Sequence, residues 1–213
     1  MKTYTSVGTP KISFSTSTAI EPDREFLKTY FEDGIRAGVI FKPDQLVQVG
    51  CMITRLVTVS SDELEVYEPD MKQMPIQFTG SADNTLVILR KQKSVNESLN
   101  LQNQIVFAPV NHYLITCSQY RQKDFIMDRG EVENNNTGWF IGCTDKDHDH
   151  NNIENLKRIS VYEAMLAKPE IIELLALPPG TFVIKSEINL IIYKDDIELS
   201  VQQGSYLQQK YAL

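Results

Sequence analysis

Gly138-Trp139-Phe140-Ile141-Gly142-Cys143-Thr144-Asp145-Lys146-Asp147-His148-Asp149 is the stretch on which the fold of this chain turns. Its first half is an apolar run holding the only tryptophan, and its second half is acidic and bears a histidine. Such an order predicts a buried strand that ends in a charged surface loop, the kind of segment where recognition residues concentrate.

Downstream, residues 156–161 predict another strand leading into a helix at 162–167. Pro169 starts a second short helix over 170–175, whose Ile171, Ile172, Leu174 and Leu175 need burial, and Pro178-Pro179-Gly180 ends it. Strands are expected at 182–184 and 188–193, with a tail from Gln202 that frays or docks. Immediately upstream, residues 129–137 are polar and turn-forming. They predict a boundary near residue 130, between an N-terminal domain or subdomain, 1–130, and a C-terminal domain, 137–213.

In the N-terminal half, Glu21-Pro22-Asp23 marks a helix start. Phe26, Leu27, Tyr30, Phe31 and Ile35 follow at helical spacing, and Gly38 ends the element. A second helix is expected over 83–99, capped by Ser81 or Asp83, with Arg90-Lys91-Gln92-Lys93 as a solvated face. The β-branched run 46–59 predicts one long strand bent at Gly50, paired across a turn at 60–62 with a strand at 64–67. Shorter strands are expected at 74–78, 105–107, 112–117 and 124–127, and residues 1–19 form a loose arm or one edge strand. The whole is an α+β chain with mixed, mostly antiparallel sheets, two longer helices in its N-terminal half and short helices in its C-terminal half.

Composition narrows the function classes. With 213 residues, 42% of them hydrophobic, the chain can bury one core or two small ones. No apolar run is long enough to span a bilayer, and the first residues lack the apolar core of a secretory signal, so a cytoplasmic location is expected. The formal net charge is −7 and no basic stripe is present, which argues against a nucleic-acid partner. Cys51, Cys117 and Cys143 sit in apolar strand contexts without Cys-x-x-Cys spacing, which predicts buried thiols.

No catalytic residue is expected. Gly-x-Ser-x-Gly, the P-loop and Gly-x-Gly-x-x-Gly are all missing, and His112 reads as a structural residue at a strand start. Asp145, Asp147 and Asp149 match the opening of an EF-hand loop, but His150 stands where that loop needs glycine and Leu156 where it needs a bidentate glutamate. His148 and His150 are the candidates for a transition metal, and two imidazoles need further ligands from elsewhere, so no metal is expected. Two alternatives stay open: a metal-binding protein or enzyme using residues 145–150, and a regulatory or scaffold domain that binds a small molecule.

Thr137-Gly138-Trp139, the acidic loop, Ile159-Ser160-Val161, Pro169-Glu170-Ile171-Ile172-Glu173-Leu174-Leu175 and Pro178-Pro179-Gly180 together resemble the immunity protein 33-like family, over residues 137–200. Residues 38–99 also resemble a region found in bacterial relatives of this class, through 37–43, 68–70, 74–76 and 89–93. In the family the loop more often reads Gly-Asp-Glu where this chain has Ile141-Gly142-Cys143-Thr144. The resemblance implies a bacterial, cytoplasmic protein that binds and neutralises a cognate toxin without catalysis or cofactor, away from membranes and nucleic acid. If the protein acts in this way, the acidic loop and its neighbours are expected to face the partner, through Asp145, Asp147, His148, Asp149 and Glu154.

Overall fold

A computed structural model describes residues 1–187 and 189–211, and the chain divides into two compact units, Met1–Arg90 and Lys91–Leu213. It is an α+β fold with mostly antiparallel sheets. No helix among the described residues is long and apolar enough to cross a membrane.

In the first unit the chain runs β1 (Lys2–Tyr4), β2 (Lys11–Ser15), α1 (Glu21–Arg36), β3 (Leu46–Val49), β4 (Met52–Ser60), β5 (Glu63–Pro69) and β6 (Phe78–Thr79), and α2 (Asp83–Ser98) begins there. The strand order is β1-β2-β5-β4-β3, with β6 added to the end of β5. Residues 1–19 supply two strands rather than a loose arm, because Ile12 and Phe14 are fully buried and draw β2 into a parallel pairing with β5. Of the apolar face expected on α1, Leu27 and Phe31 are buried, while Phe26 and Tyr30 remain exposed.

The run 46–59 is a hairpin, not one bent strand. Val49 pairs with Met52 across a turn at Gly50, whose φ of +60° is open to glycine. A Cβ there would stand 2.2 Å from Leu89 Cδ2, so the turn also requires glycine for space. The start of α2 is tied down twice. Buried Glu68 on β5 accepts hydrogen bonds from the backbone N–H groups of Asn84 (3.0 Å) and Thr85 (2.6 Å), two donors that a helix leaves unpaired. Asp83 accepts from the backbone N–H groups of Ser17 and Thr18 (2.9 Å each) and from the Ser17 hydroxyl (2.7 Å). Burial opposes its ionisation, but the hydrogen bonds from Ser17 and Thr18 outweigh burial and hold its carboxyl well below the ordinary range.

The second unit contains the rest of α2, then β7 (Tyr113–Cys117), β8 (Phe125–Arg129), β9 (Asn136–Cys143), β10 (Leu156–Ser160), α3 (Val161–Ala167), a 3₁₀ helix (Pro169–Leu174), β11 (Thr181–Lys185), β12 (Leu190–Lys194), β13 (Ile197–Glu198) and α4 (Tyr206–Tyr211). Among the described residues these strands make one seven-stranded sheet, ordered β10-β7-β9-β8-β11-β12-β13, in which only β7 and β9 run parallel. The boundary expected near residue 130 falls inside this sheet. Residues 130–135 are the hairpin connection between β8 and β9 inside a single sheet, and the division of the chain falls within α2.

Two residues explain why that polar stretch is not a linker. Arg129 lies directly opposite Trp139 across the β8–β9 pair, and both side chains are 1% exposed. The Arg129 guanidinium sits 5.2 Å from the indole and donates to the carbonyls of Val106 (2.7 Å), Leu175 (3.3 Å), Thr137 (3.3 Å) and Leu177. Burial pushes its pKa down to about 10, which leaves it charged at neutral pH. Trp139 Nε1–H also donates to the Leu175 carbonyl, at 3.1 Å. The expected strand at 105–107 is absent because its carbonyl at Val106 serves Arg129 instead of a ladder.

Smaller corrections have equally local causes. At 74–78 only Phe78 pairs, with Pro69. Gln92, expected on a solvated face, is buried and donates to the Ile172 carbonyl at 2.9 Å. The tail docks rather than frays: Tyr206 and Tyr211 donate to the buried Glu173 carboxylate at 2.7 and 2.8 Å, joined by Lys210. Of the strand expected at 188–193, residue 188 lies outside the described residues, as do 212 and 213 of the tail.

Gly138→Ala is expected to be severe. Gly138 has φ +76°, and an added Cβ would fall 2.3 Å from the Gly130 carbonyl oxygen. Backbone cannot yield as a side chain can, so a loss on the order of 3 kcal/mol in denaturant unfolding is expected. Asp83→Asn should cost about 1 kcal/mol at neutral pH, a partly exposed site limiting the effect. Because the folded carboxyl titrates below the unfolded one, Asp83's contribution is complete above the unfolded pKa and is lost as pH falls. The stability gap between wild type and variant should thus narrow below a pH of about 4.

Candidate functional site

The C-terminal end of β9 is where the sheet delivers chemistry. Trp139 and Ile141 point into the core, while Phe140 and Gly142 alternate to the other side. The loop after β9 returns over that second side. His150 packs edge-on against Phe140, with ring centroids 5.4 Å apart, and a Cβ on Gly142 would lie 3.0 Å from His150 Cε1. Glycine at 142 is thus what lets the imidazole lie on the strand.

Cys143, the last residue of β9, is buried, and its Sγ is 3.4 Å from His150 Nε2. On the parallel neighbour β7, the last residue is Cys117, also buried, whose Sγ accepts the backbone N–H of Cys143 at 3.3 Å. The parallel pairing of β7 with β9 ends both strands together, which is why residues 26 positions apart meet. His148 completes the group, its ring centroid 5.1 Å from that of His150. One ligand atom from each of Cys117, Cys143, His148 and His150 lies within 4.8 Å of the other three.

The surroundings orient these side chains. Gln119 holds His148 Nδ1 at 3.1 Å with its side-chain amide, and His148 Nε2 is buried without a partner among the described residues. Gln119 sits on the turn after β7, pinned by the buried Lys168, which donates to the Gln122 carbonyl (2.7 Å), pairs with Glu170 (2.7 Å) and lies over the Phe125 ring (4.1 Å). Burial raises the Cys117 thiol pKa, opposed by backbone N–H groups of Cys143 and Gln119 that point at its sulfur. Burial, then the neighbouring His148, lowers the His150 pKa, and Asp149 and Asp145 oppose the shift.

The sequence-derived site residues thus separate into two sets. Asp145, Asp147, Asp149 and Glu154 are exposed, whereas His148 turns inward. Asp145 and Asp149 accept the backbone N–H groups of Asp147 (3.0 Å) and Asn151 (2.9 Å), so each folds the loop while leaving charge at the surface. Among the described residues, no ion pair involves these four carboxylates. Ile153, in a 3₁₀ turn (Ile153–Asn155) beside them, is 81% exposed. Residue-level reading missed Ile153, and it missed Cys117 and Cys143 as companions of the histidines. The signal for the cysteines was their shared place at strand ends, which only the pairing of the strands makes meaningful. His112 stands just before β7, its carbonyl accepting the Val161 N–H at 2.9 Å, and its Nδ1 is buried without a hydrogen-bond partner among the described residues.

Gly142→Ala tests the packing. The new methyl should lift His150 off Phe140, cost about 1 kcal/mol of stability, and move the His150 ring-proton resonances as the aromatic contact is lost.

Comparison with known proteins gives one relation. No curated protein and no solved structure matches the chain. The family model described as Imm33-like domain matches residues 91–195. This match starts well before Thr137, where the motif resemblance began, and it covers the second unit from its first residue through β12. Of the upstream resemblance over 38–99, only 91–99 falls inside it. Residues 91–195 of this chain are thus similar to the Imm33-like domain family.

Proposed function

We propose that this protein is a bacterial, cytoplasmic immunity-type protein that binds a cognate toxin and neutralises it without catalysis, using the loop after β9 as its recognition surface. The observation that carries the reading is the loop's surface: four exposed carboxylates without ion-pair partners among the described residues, on the same connection as the exposed Ile153. Charged groups of this kind accelerate encounter with a basic partner, while an apolar anchor supplies affinity. The Imm33-like domain over 91–195 supports the immunity role. The non-catalytic part of the reading draws on Cys143 and His150. They are spaced like a nucleophile and base, yet the thiol is 1% exposed and out of reach of a substrate. A protein partner of basic surface fits the acidic chain better than nucleic acid or an anionic membrane.

The test is association of the purified chain with the toxin encoded beside its gene, together with protection of cells that express that toxin. Replacing Asp145, Asp147 and Asp149 by Asn should slow association by about tenfold at low salt and flatten its salt dependence. Ile153→Ala should instead act on dissociation and cost about 1–2 kcal/mol. Absence of binding and protection would overturn the function. Unchanged rates in the triple variant at both low and high salt would overturn the placement of the interface on this loop.

A further inference from the structure

The two sulfur and two nitrogen donors at the ends of β7 and β9 have no role in the recognition surface just described. We infer that Cys117, Cys143, His148 and His150 form a tetrahedral site for a divalent metal of the zinc class, which clamps the acidic loop to the sheet.

Donor chemistry selects the metal. Two thiolates and two imidazoles in tetrahedral array suit zinc, whereas magnesium and calcium take oxygen ligands. Distances agree. In a tetrahedron with Zn–S of about 2.3 Å and Zn–N of about 2.0 Å, neighbouring ligand atoms lie roughly 3.3 to 3.8 Å apart. Cys143 Sγ and His150 Nε2 already stand at 3.4 Å, and all four ligand atoms fall within 4.8 Å. The widest pair needs to close by about 1 Å, within reach of the loop that carries both histidines.

The surroundings also resemble those of a ligand set. His148 Nε2 is buried with no partner, so a polar atom faces inward with nothing to bind, a cost that coordination would remove. The Gln119 amide at His148 Nδ1 is the outer contact that fixes a ligating imidazole. Turned together with Gln122, whose amide donates to the Gln119 side-chain oxygen, so that the Gln119 carbonyl faces the ring, it would accept Nδ1–H and leave Nε2 free for the metal. The backbone N–H of Cys143 points at Cys117 Sγ from 3.3 Å, an outer contact of the kind that orients a ligating sulfur. Binding releases one proton from each thiol to solvent, and two thiolates then neutralise the divalent charge in a half-buried place. Both cysteines end strands and both histidines belong to the loop, so coordination would fix residues 144–150 on the rigid sheet. Cys143-x₄-His148-x-His150 lacks finger-like spacing because the fourth ligand arrives across the parallel strand pair.

The experiment is metal titration of the full chain, stripped with chelator under reducing conditions. Zn²⁺ is measured in competition with a chromophoric chelator, and Co²⁺ by its absorption. One equivalent is expected, with a rise in melting temperature and cobalt bands typical of tetrahedral coordination with thiolate charge transfer. His148→Ala and His150→Ala, both half-exposed and checked for native circular dichroism, should each weaken binding by about a hundredfold or more, and Gln119→Ala by about tenfold. Cys117→Ser and Cys143→Ser should remove the thiolate bands, and Cys51→Ser should retain them. Uptake well below one equivalent at micromolar metal would overturn the site. So would affinity unchanged in both histidine variants, or a Cys117–Cys143 disulfide in protein purified without reductant in the presence of Zn²⁺. None of these readouts involves a toxin, so the metal site and the immunity role stand or fall separately.

Discussion

A buried guanidinium with no carboxylate partner among the described residues organises the second unit. Arg129 donates to four backbone carbonyls from three separate segments, and Trp139 beside it donates to one of the same acceptors, Leu175. The carbonyls at Leu175 and Leu177 follow the 3₁₀ helix, where the chain has no ladder to satisfy them. Without Arg129 and Trp139 these acceptors would be buried and unpaired, each at a cost of about 1–3 kcal/mol. A charge in the core is retained because it answers several carbonyls at once. Its own desolvation is offset by hydrogen bonds and by the indole face rather than by an ion pair.

That arrangement fixes β9 in place, and β9 fixes the site. Gly138 lets the chain turn close under the Gly130 carbonyl, and the register with β7 slips there, so that Tyr113 faces Asn136 but Ile115 faces Phe140. The slip sets which residues of β9 stand beside the end of β7, and so brings Cys143 to Cys117. Gly142 then leaves room for His150. Each step from the core outward removes a degree of freedom from the loop, which leaves Asp145, Lys146, Asp147, Asp149 and Ile153 among the residues exposed at the surface. A loop held this way would lose less entropy on binding a partner than a free one.

Local patterning made much of this visible. The helices at α1 and α2, the strand at β9, the short helix α3 and the proline-started helix after it all follow from periodicity and punctuation that neighbouring residues supply. Trp139 as a core anchor was legible too, since Phe140 and Ile141 share its strand. Misreadings arose where a residue's partner lies far along the chain. Residues 129–137 are polar and turn-rich, yet Arg129 is among the most buried side chains because its acceptors come from 106, 137, 175 and 177. Gln92 and Glu173 were hidden in the same way: each is polar, each is buried, and each is satisfied by a group that sequence spacing does not predict.

The sequence by itself determined most of the elements, the acidic character of the loop and the family similarity of 91–195, because periodicity, turn residues and motif are properties of neighbours along the chain. It also showed two histidines in need of further ligands. Only the tertiary structure brings Cys117 and Cys143 beside those histidines, and only it divides the chain into two units within α2. The physical reason is strand order. A parallel pair between β7 and β9, with β8 on the far side of β9, is set by long-range hydrogen bonding and core packing, and neither leaves a mark in the spacing of residues along the chain.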